Sequence, residues 1–462
     1  MRFCAHRFSF HTMIQPTGRR VGAYISIVAT LLSSVLAACS QDSNHSLDHG
    51  PIAATPAIQL PNPADLAITG ALAAMTTRTL AGQMIIAGMA PSDGTISGPH
   101  QTLEEVQPGG VVLYAEDMVS IDWTRRLVER LGELLLIAPF VVTDQEGGLV
   151  ARLATSGLPA TVIPSAARIG RVLAGRDEDE ARQLAVALGR LIGSELRSLG
   201  ISCNLAPVAD IAGPGTEGAI GSYYRSYGAD PGFVGMIVSS IVVGMQEAGV
   251  ASIVKHFPGH GDAIGDTHDG IAMLDLTFEQ LQVGPLISFA SAISAGVAGV
   301  MTAHVALPHL TGSLVPGTLS SQVVTGLLRE QLGFSGLIVT DALNMSALQA
   351  APDAWFDPSA DPVPAGVSGE ARLAVRSLLA GADLILLPVD PVEVLNAIVR
   401  SVDEEVLERT RLEASARRVL LAKIHFGVIG PGAHAVRGDA AAILGSAEHQ
   451  SLARILSGLE DS

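Results

Sequence analysis

Residues 251–269 read Ala-Ser-Ile-Val-Lys-His-Phe-Pro-Gly-His-Gly-Asp-Ala-Ile-Gly-Asp-Thr-His-Asp, and the change of character inside the stretch carries the expectation for the whole chain. It opens as an apolar run of strand length ending on Lys255 and His256. It then empties into a loop of glycine, histidine and aspartate, a composition suited to presenting titratable groups rather than to packing. Apolar runs of this length recur eight times, at 84–87, 110–114, 140–144, 202–206, 251–256, 299–304, 337–341 and 383–387. Helical apolar spacing lies between several of them, at 123–136, 180–199, 233–248, 278–295 and 320–332. Strands buried on both faces and separated by helices form a parallel sheet. An open doubly wound sheet gives the same alternation, but it gathers its polar groups near one switch point. Here Asp144, Asn204, Lys255, His256, His304 and Asp341 stand at or near the carboxyl ends of five different runs. That distribution predicts an α/β fold, a (β/α)8 TIM barrel forming a single catalytic domain over 66–426.

The 462 residues include 28 basic and 45 acidic ones, a formal charge of −17, with 48% hydrophobic and 16% charged residues. Such apolar content excludes disorder over most of the length, and the acidic balance argues against nucleic acid as a partner. Ahead of the barrel, Arg19 and Arg20 precede a mostly apolar run over 21–36, then Leu36-Ala37-Ala38-Cys39, then polar Ser40-Gln41-Asp42-Ser43-Asn44. The run is too short for a comfortable membrane span. This order reads as a lipoprotein signal peptide over 1–38 with a lipobox-like end, Cys39 becoming the lipidated first residue; an ordinary secretory signal with an incidental cysteine is the plainer alternative. Residues 39–65 read as a flexible tether and 427–462 as a tail rich in Gly, Ala and Ser. With Cys4 and Cys39 in the first forty residues, Cys203 alone remains in the folded body, so no internal disulfide is expected. Residues 352–369, with Trp355 and Phe356, follow the seventh run and read either as a lid over the barrel mouth or as a surface insertion.

Asp266 and His268 stand two apart, a spacing that lets a carboxylate orient one imidazole nitrogen while the other faces a reactant. A divalent metal held by His260, Asp266, His268 and Asp269 is the competing reading, although no familiar metal-ligand spacing is present. Only two lysines, Lys255 and Lys423, accompany 26 arginines, so Lys255 stands where a compact ammonium is wanted in place of a guanidinium. The run at 337–341 delivers Asp341, and the third run delivers Asp144. Carboxylates converging with a cation and an imidazole suit polyol recognition and glycosyl transfer. From the residues alone, Asp341 is equally a strand-end cap or a nucleophile.

Six phrases in order, DQEGG at 144–148, NLAPVADI at 204–211, YRSYGADP at 224–231, KHFPGHG with DTH within 255–268, VMTAH at 300–304 and TDALNM at 340–345, resemble glycoside hydrolase family 3, specifically its NagZ-type β-N-acetylglucosaminidases. The resemblance covers roughly 75–425. It implies Asp341 as catalytic nucleophile, the Asp266/His268 pair as general acid/base, and sugar binding by Asp144, Arg225, Lys255 and His256. Two positions depart from the pattern: Leu149 stands where some members carry arginine, which leaves the role of Arg152 open, and Tyr227 replaces phenylalanine.

The expected protein is therefore an exported enzyme, lipid-anchored to the outer face of the bacterial cell membrane. It would be a retaining exo-β-N-acetylglucosaminidase removing terminal GlcNAc from small saccharides such as peptidoglycan fragments, with no metal and no organic cofactor. A β-glucosidase or phosphorolytic member of the same family, and a noncatalytic sugar-binding surface lipoprotein, are the alternatives. Oligomeric state has no signature in the sequence.

Overall fold

In the computed structural model the eight apolar runs hydrogen-bond side by side into one closed parallel barrel, each strand pairing with its neighbours in sequence and the last with the first. The strands are β1 (Ile85–Gly88), β2 (Gly110–Val112), β3 (Phe140–Thr143), β4 (Cys203–Asn204), β5 (Ala251–Phe257), β6 (Gly299–Thr302), β7 (Leu337–Ala342) and β8 (Leu384–Leu386). Every residue of β2, β3, β5 and β6 is buried, as strands covered by barrel interior and helices must be. The (β/α)8 barrel expected from the runs is the fold. The structure describes residues 63–89, 97–213, 215–261, 263, 272–345, 348, 362–367, 369–430, 433 and 438–459.

The chain divides into two compact units, 1–74 and 75–462. The first contributes the helix Pro63–Ala74, within which the expected domain start at residue 66 falls. In the second, the helices of nine or more residues before the C-terminal stretch are α1 (Ser97–Val106), α2 (Ile121–Leu134), α3 (Glu178–Ser198), α4 (Pro231–Glu247), α5 (Leu286–Ser294), α6 (Gln322–Gln331), α7 (Gly369–Ala380), α8 (Pro391–Asp403) and α9 (Arg409–His425). Their starts are written locally. Ser120, Asp177, Asp230 and Asp390 cap α2, α3, α4 and α8 by accepting backbone N–H bonds, and proline opens α4 and α8 where its missing N–H costs nothing. The helical pattern at 278–295 is broken into Phe278–Val283 and α5, because Pro285 cannot donate the bond a continuous helix would need there. The segment expected at 320–332 is wound as a π-helix, α6.

Helices α3 and α4 pack backbone to backbone: a Cβ on Gly189 would lie 2.2 Å from the Ile241 carbonyl oxygen, and one on Gly244 would lie 2.0 Å from that of Val186. The stretch read as a tail carries two further helices, Ala440–Ile443 and Ala447–Leu456. The buried Glu195 carboxylate of α3 holds them, accepting from Gly445 N–H at 2.9 Å and pairing with His449 Nδ1 at 3.1 Å. Cys203, in β4, is a buried free thiol whose pKa burial pushes up.

Candidate active site

Beyond β3 the chain passes through Asp144 into a short strand, Gln145–Gly147, that folds back on Val150–Ala151. The reversal needs glycine, for Gly147 has φ +105° and a Cβ there would lie 2.8 Å from both Ile163 Cγ2 and the Pro164 carbonyl oxygen. Asn204, at the end of β4, pins the strand: its Oδ1 accepts from Gln145 N–H at 2.8 Å and its Nδ2 donates to the Gln145 carbonyl at 3.0 Å. Two-residue periodicity then turns Asp144 and Glu146 to one side, and both line the same cavity.

Lys255, near the end of β5, lies between them, its Nζ 2.7 Å from Asp144 Oδ1 and 2.7 Å from Glu146 Oε1. Burial alone would lower the lysine pKa, but the two carboxylates outweigh it and raise it, so the group is an ammonium. Arg225 grips Glu146 with two parallel bonds, Nε to Oε2 at 2.9 Å and Nη2 to Oε1 at 2.8 Å. Burial would raise the Glu146 carboxyl, yet Arg225 and Lys255 hold it well below the usual range.

His256 is oriented from behind. Asp210 accepts from its Nδ1 at 2.7 Å and from its backbone N–H at 3.2 Å, while the other Asp210 oxygen accepts from His260 N–H at 2.7 Å. This leaves His256 Nε2 on the cavity side, 3.5 Å from Arg225 Nη2. His260 sits edge-on to His256 at 5.8 Å between ring centroids. Burial would raise Asp210, but the two histidines hold its carboxyl below the ordinary value.

Asp341 lines the cavity from β7, and the Ala342 N–H donates to its Oδ1 at 2.8 Å. Burial pushes its pKa up, and the imidazoles of His256 and His304, the Ala342 N–H and the Lys255 ammonium outweigh it, so Asp341 is ionised. Among the described residues it forms no ion pair. His304 is not among the cavity-lining residues; it is buried, its Nε2 3.1 Å from the Ala342 carbonyl and its Nδ1 3.2 Å from Thr318 Oγ1. Arg152 approaches Asp144 Oδ2 at 3.9 Å and lies 5.3 Å from the centroid of the Tyr114 ring.

The cavity has a volume of about 710 Å³ and opens at the carboxyl ends of the strands, large enough for a disaccharide end. Thus Asp144, Arg225, Lys255, His256 and Asp341 come together as expected. Asp266 and His268, the expected acid/base pair, lie outside the described residues, as does Cys39. Of the four residues in the metal reading only His260 is described, and no group of three or more metal-ligating side chains occurs among the described residues. Glu146, Asp210 and Tyr114 were not singled out from the sequence. Glu146 had a signal in Asp144-Gln145-Glu146, where alternation puts both acids on one face. Asp210 had none, because its pairing with a histidine 46 residues away exists only once β4 and β5 are neighbours.

Residues 82–422 match the model of the glycosyl hydrolase family 3 N terminal domain. The chain belongs to glycoside hydrolase family 3. It is 31% identical over 315 residues to a beta-hexosaminidase of Hydrogenovibrio crunogenus, covering 67% of this chain and 81% of that one. It is 32% identical over 297 residues to beta-hexosaminidase A of Pseudoalteromonas piscicida, covering 61% of this chain but only 46% of that longer protein. A solved family 3 beta-N-acetylglucosaminidase from a Paenibacillus species superposes with a TM-score of 0.69 at 32% identity, covering 83% of this chain and 68% of that one. As a family 3 member the chain is a glycoside hydrolase, and the cavity at its strand ends is the candidate active site.

Proposed function

We propose that the protein is a retaining exo-β-N-acetylglucosaminidase that releases terminal GlcNAc from small saccharides. The observation that carries this reading is a single ionised carboxylate, Asp341, lining the same cavity as the set Asp144, Lys255, Glu146, Arg225 and His256. That set offers fixed donors and acceptors to sugar hydroxyls and to an acetamido group, and β-hexosaminidase relatives support GlcNAc as the sugar. Asp341 attacks the anomeric carbon as the bond to the leaving oxygen breaks. His268, oriented by Asp266, protonates that oxygen, and it then takes a proton from the water that cleaves the glycosyl-enzyme.

Incubation with a GlcNAc-MurNAc disaccharide, a GlcNAc-GlcNAc disaccharide and β-GlcNAc fluoride should release free GlcNAc from at least one. A slow fluorinated GlcNAc donor should leave a sugar adduct on Asp341, and potent thiazoline inhibition without an adduct would transfer the nucleophile's role to the acetamido group. His268→Ala should lose several orders of magnitude on a disaccharide, on the order of 10³, but far less glycosylation rate on a dinitrophenyl glycoside, and azide should restore its turnover. Equal losses on good and poor leaving groups would remove His268 from this role. The export sequence supports lipidation of Cys39 and attachment to a membrane surface; a Cys39→Ala protein that is processed yet still fractionates with membranes would refute it.

A further inference from the structure

Asp210 does not line the cavity, yet three residues that do, His256, His260 and Arg225, are held from it. It is completely buried, so no sugar reaches it. The chain past β4 sets it beside His256 by continuing the ladder with β5. Val208 bridges to Lys255, the Lys255 N–H donates to the Pro207 carbonyl at 3.3 Å, and the Ala209 N–H donates to the Lys255 carbonyl at 2.6 Å. From the Arg225 side, the neighbouring buried Ser226 donates through Oγ to the Asp210 carbonyl at 2.7 Å and accepts from the Ala212 N–H at 3.1 Å. One residue thus registers Arg225 against His256 with its backbone and aims the imidazole with its side chain.

The proton on that imidazole follows from its two neighbours. The Asp210 oxygen 2.7 Å from Nδ1 also accepts the His256 N–H at 3.2 Å, and an ionised carboxylate only accepts, so Nδ1 carries a proton. Nε2 faces Arg225 Nη2 at 3.5 Å, and a guanidinium only donates, so Nε2 keeps its lone pair. A second proton there would set N–H against N–H. His256 therefore offers the cavity a neutral acceptor beside a cation. A sugar hydroxyl satisfies both, giving its proton to Nε2 and a lone pair to Arg225.

We propose that Asp210 is a positioning residue of the glycosyl transfer, holding His256 with Nε2 unprotonated as the hydrogen-bond acceptor for a hydroxyl of the bound sugar. This rests on the exo-glycosidase reading above and deepens it. The first test needs only the resting wild-type protein. In nitrogen-15-labelled enzyme at neutral pH, the His256 ring, assigned by the signals that vanish in His256→Ala, should show a proton on Nδ1 and none on Nε2. A proton on Nε2 would overturn the proposal. The second test is a double-mutant cycle on a dinitrophenyl β-GlcNAc glycoside. Asp210→Ala should lower kcat/KM roughly 10- to 100-fold, the range for a hydrogen bond lost to substrate. In a His256→Ala background the same change should cost less than about threefold. An equal loss in both backgrounds would overturn the proposal and leave Asp210 a scaffold for the segment after β5. Should Asp210→Ala fail to fold, Asp210→Asn, with one oxygen for three donors, replaces it in the cycle, and the wild-type spectrum stands independently of either variant. Failure of the cycle in an enzyme that turns over would remove Asp210's part alone. Absence of GlcNAc release from the glycoside by wild type would overturn the exo-glycosidase reading and Asp210's part with it.

Discussion

Both ends of this barrel bury charge, and the two ends bury it differently. At the carboxyl end, Lys255 is an ammonium held between two carboxylates at the floor of an open cavity. At the amino end, Lys423 of α9 is completely buried, its Nζ donating to Gln83 Oε1 at 2.8 Å just ahead of β1, and burial pushes its pKa down to about 7. The acids differ in the same way. Asp341 keeps its carboxylate toward the cavity, whereas Asp383, ahead of β8, is enclosed by Arg329, Arg411, Arg418 and Ser415, and one of its oxygens accepts from the Ile338 N–H at 3.0 Å. Buried charge alone therefore does not mark an active site. What separates the two ends is whether a ligand can reach the charge, and barrel architecture reserves that access for the carboxyl end.

The comparison breaks if substitutions at the two ends have similar effects. The largest is expected at Asp341: Asp341→Asn should lower kcat on the order of 10⁴-fold with the thermal midpoint moved by no more than a few degrees, measured by turnover and calorimetry on the same preparation. Asp383→Ala should do the reverse. Leaving three guanidinium groups around an empty space costs about 3–5 kcal/mol in denaturant unfolding, with activity per folded molecule retained.

Lys255 sharpens the contrast. Lys255→Arg should weaken kcat/KM by about as much as Lys255→Ala, at least 2 kcal/mol in transition-state stabilisation, because a planar guanidinium does not fit where one nitrogen serves two carboxylates. Near wild-type turnover by the arginine variant would show that charge alone suffices.

The smallest effect is expected at Lys423. Its folded pKa is depressed, so between about pH 7 and its ordinary value of 10.5 the unfolded chain holds a proton that the folded chain does not. Stability should rise with pH through that window and level off below it. Lys423→Met should flatten this rise and, after the loss of one hydrogen bond to Gln83, be more stable at pH 7 by about 1–2 kcal/mol, an advantage that shrinks toward pH 10. A pH-independent difference would mean that packing, and not the amine, sets its contribution.

The barrel was legible in the sequence because a strand covered on both faces has to be apolar throughout, and that signal survives in eight short windows read one at a time. Apolar spacing alone places helix starts two residues late, at 123, 180 and 233 against Ile121, Glu178 and Pro231, because the capping Ser120, Asp177 and Asp230 and most of the residues just after them are polar, glycine or proline and carry no apolar signal. Asp144, Arg225, Lys255, His256 and Asp341 were legible as a set through the order of their motifs, and Lys255 also through the scarcity of lysine. The partners were decided only by tertiary structure. Asp210 behind His256, Asn204 under Gln145 and the grip of Arg225 on Glu146 span 46, 59 and 79 residues. The second lysine makes the point most sharply, for Lys423 and Lys255 are equally rare in the sequence. One meets two carboxylates and the other a single amide, and neither environment exists until strand closure and helix packing bring distant segments within hydrogen-bond reach.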